Sequence, residues 1–366
     1  MNVSLKNIPS TNDLFLPRII AIFMNFPYIH GSSSTQGAPM FLPSHICHLK
    51  GVNQDGPTVV ILGGTHGDEQ TGVVLVKRLL SDLDLSTEIP GGEHLRTDVI
   101  GNLYLGFGNP EAIDIGKRMA SDFRDLNRSF QTTDLADPSK KWIDLERARE
   151  LAPLFAQTDY LFDIHATNFD SPPFVCFGND DSEHRELYLH IPVPFVLTDP
   201  DTRLSADMGL TELATTDYYV DTFGGSAWGE KKFGRKRGVG LCYETGQQQD
   251  LTRIEATLQT VLQLMMQVGV ITPEFLEAIR ETPAHNPPVM PKVYALTKGE
   301  IIRDCLFAYD RGMDQGWVPI TKGTRVGKYQ DGQEVFAEED GMLILQRAPN
   351  KMIPGHRMFF VAKRIG

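Results

Sequence analysis

A glycine-rich segment between two apolar runs constrains the fold of this chain more than any other feature. The apolar run Val59–Leu62 leads into the sequence GGTHGDEQTG at residues 63–72, and residues 73–80 then carry apolar side chains at helical spacing. This order predicts a buried strand, a tight turn and an amphipathic helix. His66 and Glu69 lie three residues apart in the turn, so both side chains point the same way if the helix begins there. They form a candidate zinc-ligand pair, although an isolated HxxE pair belongs more often to a solvated turn.

After residue 58, apolar strand patterns alternate with helical patterns along the chain. The predicted strands include residues 58–62, 160–167, 193–197 and 238–246, and the predicted helices include residues 111–120, 142–155 and 254–268. Such alternation is typical of a sheet with helices on its faces. The predicted fold class is therefore α/β, with a mixed, largely parallel sheet flanked by helices.

A proline-rich stretch divides the chain into two predicted domains. Residues 282–291 read TPAHNPPVMP, which cannot hold a helix, and are predicted to be a linker. Residues 1–281 form the predicted α/β domain, to which residues 1–57 add short N-terminal strands. Residues 292–366 contain short alternating segments separated by Lys-Gly and Asp-Gly pairs, and are predicted to form a small β-rich domain.

Charge and cysteine content restrict the class of partner and the compartment. The chain has 35 Lys and Arg residues against 47 Asp and Glu residues, which argues against a nucleic-acid binder. Its four cysteines, Cys47, Cys176, Cys242 and Cys305, show no CxxC spacing, so neither a thiolate metal site nor a disulfide framework is predicted. The apolar residues 19–26 are too few to cross a bilayer. We expect a cytoplasmic protein without nucleic-acid or membrane partners.

Three residues that can bind metal or transfer protons fall at the ends of predicted strands. His66, His165 and Glu244 each follow an apolar strand pattern. In open α/β sheets, ligands bind at the carboxyl ends of the strands. Two histidines and one carboxylate would form a catalytic zinc site with an open fourth position. Glu244, on a separate strand, would also be suited to remove a proton from water.

The tetrapeptide Asp125-Leu126-Asn127-Arg128 is a candidate anion site. An arginine beside an asparagine can hold a carboxylate, because the guanidinium donates two parallel charge-assisted hydrogen bonds. Taken alone, the tetrapeptide would more often be a loop that is stabilised by its own hydrogen bonds.

Together these motifs resemble the succinylglutamate desuccinylase/aspartoacylase family of zinc-dependent deacylases, which are related to the zinc carboxypeptidases. The similar segments occur in the family's order and are GGTHGDE at 63–69, RDLNRSF at 124–130, DIHAT at 163–167 and YETG at 243–246. The resemblance spans residues 58–250. It implies a zinc carboxypeptidase-like fold in which the C-terminal β-rich domain lies near the active-site mouth.

The resemblance also implies a role for each matching residue. One Zn²⁺ per chain would be held by His66, Glu69 and His165, and Glu244 would be the general base. Asp125 would orient the ring of a ligand histidine such as His66.

Three further residues match substrate-binding positions of the family. Asn127 and Arg128 would hold a substrate carboxylate. An arginine upstream of this pair would polarise the scissile carbonyl, and Arg118 is the candidate, with Arg124 as the alternative.

The implied activity is hydrolysis of the amide bond of an N-acyl amino acid. A carboxypeptidase-like enzyme that acts on short peptides would use the same motifs and is the first alternative. A catalytically inactive protein that binds a metal or a small ligand is an alternative of another class, but binding alone does not need a base such as Glu244. The run Gln247–Gln249 lacks the proline associated with aspartoacylase, so the acyl group is left open. The sequence allows a homo-oligomer.

Overall fold

The fold is described by a computed structural model, over residues 42–178, 180–206, 209–210, 212–279, 281, 290–304 and 306–366. The described residues form one compact unit. The strands are β1 (Ile46–Lys50), β2 (Thr58–Gly63), β3 (Glu93–Leu95), β4 (Asn102–Phe107), β5 (Tyr160–Thr167), β6 (Phe174–Phe177), β7 (Phe195–Thr198), β8 (Val239–Gln247), β9 (Lys292–Ile301), β10 (Phe307–Tyr309), β11 (Val318–Ile320), β12 (Arg325–Tyr329), β13 (Glu334–Phe336), β14 (Gly341–Ile344) and β15 (Arg357–Arg364).

The helices lie mainly between the strands of the first 280 residues. They are α1 (Gln70–Asp82), α2 (Pro110–Asp114), α3 (Thr132–Ala136), α4 (Ile143–Phe155), α5 (Ser182–Tyr188), α6 (Arg203–Ala206), α7 (Thr216–Phe223), α8 (Ala227–Phe233), α9 (Ile254–Gln267) and α10 (Pro273–Ala278). Short 3₁₀ helices span Leu126–Arg128, Leu251–Arg253 and Pro349–Lys351. Among the described residues, no helix has the length and apolar character needed to cross a membrane.

One large sheet confirms the predicted fold class. Its order in the described residues is β11-β14-β15-β9-β7-β6-β8-β5-β2-β4-β1-β3. The central strands β4, β2, β5 and β8 are parallel, whereas β6 runs antiparallel to β8. The carboxyl ends of β2, β5 and β8 therefore meet at one edge of the sheet. All six residues of β2 are buried, as expected for a parallel strand covered on both faces.

The C-terminal strands extend this sheet. Strand β9 pairs in parallel with β7, and β15, β14 and β11 follow in antiparallel order. A separate antiparallel sheet contains β10, β12 and β13. Residues 292–366 are thus β-rich, while their division from the rest as a domain stays a prediction. Of the predicted linker, residues 282–289 lie outside the described residues, as do residues 1–41 of the predicted N-terminal strands.

One predicted helix is wrong in length. The pattern at residues 111–120 predicts a continuous helix, but α2 ends at Asp114. Gly116 has a φ of +60°, which is the left-handed conformation that commonly ends a helix. The remaining residues of the predicted helix form a loop, and Arg118 lies in that loop.

Candidate active site

Two glycines let the turn before α1 lie close to the neighbouring strand. A Cβ atom at Gly63 would come within 2.0 Å of the Gly72 carbonyl oxygen, and a Cβ at Gly72 within 2.6 Å of the Ile164 carbonyl oxygen. Because only glycine avoids these contacts, α1 can pack directly on β2 and β5. The turn that carries His66 and Glu69 thereby reaches the end of β5.

Three predicted metal ligands meet in a buried cluster. His66 Nδ1 lies 2.7 Å from Glu69 Oε1, and His165 Nδ1 lies 3.0 Å from Glu69 Oε2. One potential ligand atom from each residue lies within 4.8 Å of the others. The Ala166 N–H also donates to Glu69 Oε2 at 2.9 Å, which anchors the carboxylate to β5. Two imidazoles and a carboxylate are a usual donor set for catalytic zinc, so these residues fit that ion.

A carboxylate faces the far nitrogen of each imidazole. Asp125 Oδ1 lies 3.5 Å from His66 Nε2, and Asp163 Oδ2 lies 3.0 Å from His165 Nε2. Carboxylates in this position fix the orientation of a ligand histidine and leave its other nitrogen for the metal. Asp125 thus faces His66, the histidine that the resemblance names for it.

Asp163 is a site residue that the sequence analysis missed. Its two oxygens accept hydrogen bonds from Thr65 Oγ1 at 2.8 Å and Thr216 Oγ1 at 2.7 Å, so the carboxylate is held firmly. The signal was present in the segment DIHAT, because alternate residues of a strand share one face. Asp163 and His165 are such alternate residues of β5.

Burial and charge act in opposite directions on the acids of the cluster. Burial alone would raise the pKa of Glu69, but the adjacent His66 and His165 lower it. Burial would likewise raise the pKa of Asp125, yet Arg118 and His66 hold it well below the usual range. Both carboxyl groups are therefore favoured in the ionised form, which is the form that binds or orients metal ligands.

Glu244 differs from these acids in its surroundings. It lies on β8, directly opposite His165 of the neighbouring strand β5. Its Oε2 atom is buried and has no hydrogen-bond partner in the described part of the chain. Burial, followed by the nearby charge of Glu69, raises the pKa of the Glu244 carboxyl to about 7. An acid with such a pKa can both accept and return a proton near neutral pH.

Arg118 lies beside the cluster, whereas Arg124 does not. The Arg118 guanidinium donates from Nε to Asp125 Oδ2 at 3.2 Å, and its Nη1 is 3.7 Å from Glu69 Oε1. Arg124 donates to Asp134 at 2.5 Å and does not line the cavity at the cluster. The structure thus brings Arg118 to the site and holds Arg124 in a part-buried ion pair elsewhere.

Asn127 and Arg128 both line the cavity. The Asn127 side-chain oxygen accepts from the Thr216 N–H at 2.8 Å, which ties the 3₁₀ helix to α7. The Arg128 guanidinium donates to the Leu204 carbonyl at 3.0 Å and to the Asn127 carbonyl at 2.5 Å. No carboxylate of the described residues lies within ion-pair distance of Arg128. Its charge is therefore available to an anionic ligand.

A cavity of about 170 Å³ adjoins the cluster. Besides the predicted site residues, its lining includes aromatic and basic side chains: Phe174, Phe177, Trp317, Arg347, Lys351, Arg357 and Phe360. The last five belong to the C-terminal strands and their connections. The sequence does not predict these residues, because no local pattern relates residues so distant along the chain.

Arg347 is a second guanidinium of this cavity without a carboxylate at ion-pair distance among the described residues. Its Nε donates to the Arg357 carbonyl at 3.1 Å. Burial lowers the pKa of Arg347 to about 10, and the charges of Arg118 and Arg128 act in the same direction. Three guanidinium groups, those of Arg118, Arg128 and Arg347, therefore line the cavity that holds the metal candidates.

The sequence of this region matches a known family. Residues 55–197 match the model of the succinylglutamate desuccinylase/aspartoacylase catalytic domain. Over this segment, which is less than half of its length, the chain is similar to the family. The matched segment contains His66, Glu69 and His165 and ends before Glu244, so the assignment of Glu244 depends on its place in the cavity.

Curated relatives of the family align with only part of the chain. A probable aspartoacylase of Nostoc sp. is 31% identical over 128 residues, which cover 34% of this chain and 40% of that protein. An N-acyl-aromatic-L-amino acid amidohydrolase (carboxylate-forming) of Xenopus laevis is 30% identical over 139 residues, or 36% of this chain and 42% of that protein. The alignments thus span about two-fifths of the length of these relatives.

Solved structures of family members match over most of the chain. A succinylglutamate desuccinylase/aspartoacylase of Rhodobacter sphaeroides has a TM-score of 0.58 at 19% identity and covers 87% of this chain and 89% of its own. Murine aminoacylase 3 has a TM-score of 0.59 at 17% identity, with coverage of 84% and 95%. At these identities the similarity shows the fold of the family.

Proposed function

We propose that this chain is a zinc-dependent hydrolase that cleaves the amide bond of an N-acyl amino acid. The observation that carries the proposal is the buried cluster of His66, Glu69 and His165, with Glu244 on the adjacent strand of the same cavity. The match of residues 55–197 to the family model and the names of the relatives, aspartoacylase and N-acyl-aromatic-L-amino acid amidohydrolase, support this activity.

The metal would be held by His66, Glu69 and His165, whose donor atoms already converge. When bound, zinc would polarise a scissile carbonyl and lower the pKa of a water molecule in the cavity. Asp125 and Asp163 lie 3.5 and 3.0 Å from the far nitrogens of these rings, where they would orient the imidazoles for binding.

Glu244 supplies the proton transfer in the proposed reaction. Its Oε2 atom has no partner within the described residues, so it can accept a proton from water at the start of the reaction. Because burial raises the pKa of the Glu244 carboxyl to about 7, the protonated acid can then deliver that proton to the leaving nitrogen. One residue thereby acts as base and then as acid.

Arginines recognise the negative charges of the substrate and of the transition state. Arg118 lies beside Glu69, where its guanidinium can stabilise the negative charge that develops on the carbonyl oxygen. Arg128, with Asn127, would hold the carboxylate of the amino acid. The positive charge of Arg347 adds to this preference for an anionic substrate.

Metal content and a substrate screen test the proposal. We expect about one zinc per chain in the parent by elemental analysis, and none in His66→Ala. The parent should release amino acids from N-acyl amino acids faster than it cleaves dipeptides and tripeptides. The reverse preference would favour the carboxypeptidase-like alternative, and a zinc-binding parent without turnover would favour the inactive binding protein. A parent that does not take up zinc would refute the proposal.

The proposed substrate is a small acyl amino acid, and the proposed compartment is the cytoplasm. Cys47, Cys176 and Cys242 are buried free thiols, which supports a reducing environment. Cell fractionation with an antibody against the chain would test the compartment, and recovery in an extracellular fraction would contradict it.

A further inference from the structure

Lys351 reaches from the C-terminal part of the chain to the rim of the cavity. Its ammonium donates to Asp68 Oδ2 at 2.7 Å, to Asn168 Oδ1 at 2.9 Å and to Gln248 Oε1 at 3.3 Å. A lysine ammonium has three donors, so these three acceptors satisfy it completely. The contact therefore joins one C-terminal side chain to three separate loops.

Each of these loops carries a residue of the proposed active site. Asp68 lies in the turn before α1, between the candidate metal ligands His66 and Glu69. Asn168 follows His165 by three residues at the end of β5. Gln248 follows Glu244 by four residues at the end of β8. Lys351 thus contacts the loops of all three strands that meet at the cluster.

Direct bonds between two of these loops are long. The Gln70 N–H donates to the Gln248 carbonyl at 3.3 Å, and Gln249 Nε2 donates to the Asp68 carbonyl at 3.4 Å. Hydrogen bonds at such distances are weaker than the 2.7 Å charged contact between Lys351 and Asp68. The ammonium therefore adds a charged contact with the turn, and its 3.3 Å contact with Gln248 extends this connection to the loop after β8.

Asp68 also needs a positive partner. Its side chain is 15% exposed, and it lies next to the buried carboxylate of Glu69 in the sequence. Lys351 is its ion-pair partner among the described residues. Without this lysine, Asp68 would be a largely buried carboxylate beside a second one, which would favour displacement of the turn.

We propose that Lys351 is a positioning residue that fixes the metal-binding turn and couples it to the C-terminal connection between β14 and β15. This inference rests on the proposed function for its metal, and on the Lys351 contacts for its geometry. The same connection carries Arg347, whose Nη1 donates to the Lys351 carbonyl at 3.5 Å. The contacts of Lys351 form only when the turn before α1 is in its metal-binding position and residues 345–351 are docked against it. Metal binding and the docking of residues 345–351 therefore stabilise each other.

Zinc affinity of the full chain provides the first test. Lys351→Met removes the ammonium and keeps most of the apolar stem, whereas Lys328→Met removes an exposed lysine of β12 as a matched control. We expect the zinc affinity of K351M, measured by chelator competition, to fall by about tenfold or more, as for other residues that support metal ligands. The K328M affinity should equal that of the parent. Lys351→Arg should recover part of the loss, because it restores the charge.

Hydrogen exchange provides a readout that is independent of activity. Zinc should slow amide exchange of residues 345–351 in the parent and in K328M, but not in K351M. If K351M retains both the parent zinc affinity and this protection, the proposal is overturned. If K351M does not fold, Lys351→Gln gives the same comparison with a neutral side chain that is still polar.

A parent that does not bind zinc refutes the proposed function. The role of Lys351 is then tested by hydrogen exchange of the metal-free parent and the metal-free K351M. In that case, residues 66–70 and 345–351 should exchange faster in K351M than in the parent. Equal exchange in the two proteins would overturn the positioning role.

Discussion

Replacing Glu244 by Gln isolates the proposed proton transfer, because it keeps the shape of the side chain and removes its basicity. Glu244 lines the cavity, and its Oε2 atom forms no hydrogen bond with the described residues. It does not belong to the cluster of three candidate metal donors. We therefore expect E244Q to fold normally and to retain the zinc content of the parent.

The expected loss follows from the role of the base. A positioned general base contributes about 10²- to 10⁴-fold to a rate, which corresponds to about 2.7–5.4 kcal/mol of activation free energy. The kcat of E244Q for release of amino acid from an N-acetyl amino acid should fall by that factor. Since Glu244 has no assigned contact with the bound substrate, kcat/KM should fall in proportion and KM should change little.

A matched control separates this effect from a general effect of removing a carboxylate. Glu277→Gln alters an exposed residue of α10 and should leave kcat unchanged. The zinc content of E244Q should match that of the parent, and its melting temperature at neutral pH should not be lower, because the substitution removes a buried acid whose pKa is raised. An E244Q protein that binds zinc and keeps the kcat of the parent would refute Glu244 as the base.

Three further substitutions test other parts of the structure. Arg128→Met should raise KM for N-acyl amino acids by about tenfold or more, because a charged contact with the substrate is lost. Arg124→Met should leave KM unchanged and lower the melting temperature, because it breaks an ion pair away from the cavity. Equal effects on KM would contradict the different roles given to the two arginines. Gly72→Ala should destabilise the fold by about 1–3 kcal/mol in chemical denaturation, because the added Cβ would lie 2.6 Å from the Ile164 carbonyl oxygen. A variant as stable as the parent would show that α1 can shift to make room. Although burial lowers it, two neighbouring aspartates raise the pKa of His184 to about 10. Because this pKa is raised, the charged imidazole stabilises the fold fully below pH 6.5, and the stabilisation is lost as the pH rises towards 10. The free energy of unfolding of the parent should therefore decline between these pH values. In His184→Gln it should change less over the same range.

The sequence predicts the part of the site that depends on local pattern. His66, His165 and Glu244 each follow a run of apolar residues that forms a buried strand, and parallel strands place their ends at one edge. The strand positions are reproduced to within about two residues, as for β7, predicted at 193–197 and observed at Phe195–Thr198. Local periodicity and the assumption of a parallel sheet are enough to predict these strands and the residues at their ends.

The part that the sequence does not predict depends on contacts between distant residues. Arg347 and Lys351 reach the cavity because β15 and β9 join the large sheet, and no pattern near either residue reports that pairing. Helix α2 is short because of the backbone conformation at Gly116, although the residues beyond it have helical spacing. Asp163 is different, since the alternation of β5 already placed it beside His165.

The pairing of β7 with β9 has a consequence for solubility. Residues Phe195–Thr198 pair in parallel with the start of β9, and Val196 and Leu197 are fully buried. In a chain that ended before residue 292, this side of β7 would be an open apolar edge with unpaired amide and carbonyl groups. Such edges recruit strands from other molecules. The C-terminal strands would then protect the large sheet from aggregation, in addition to lining its cavity.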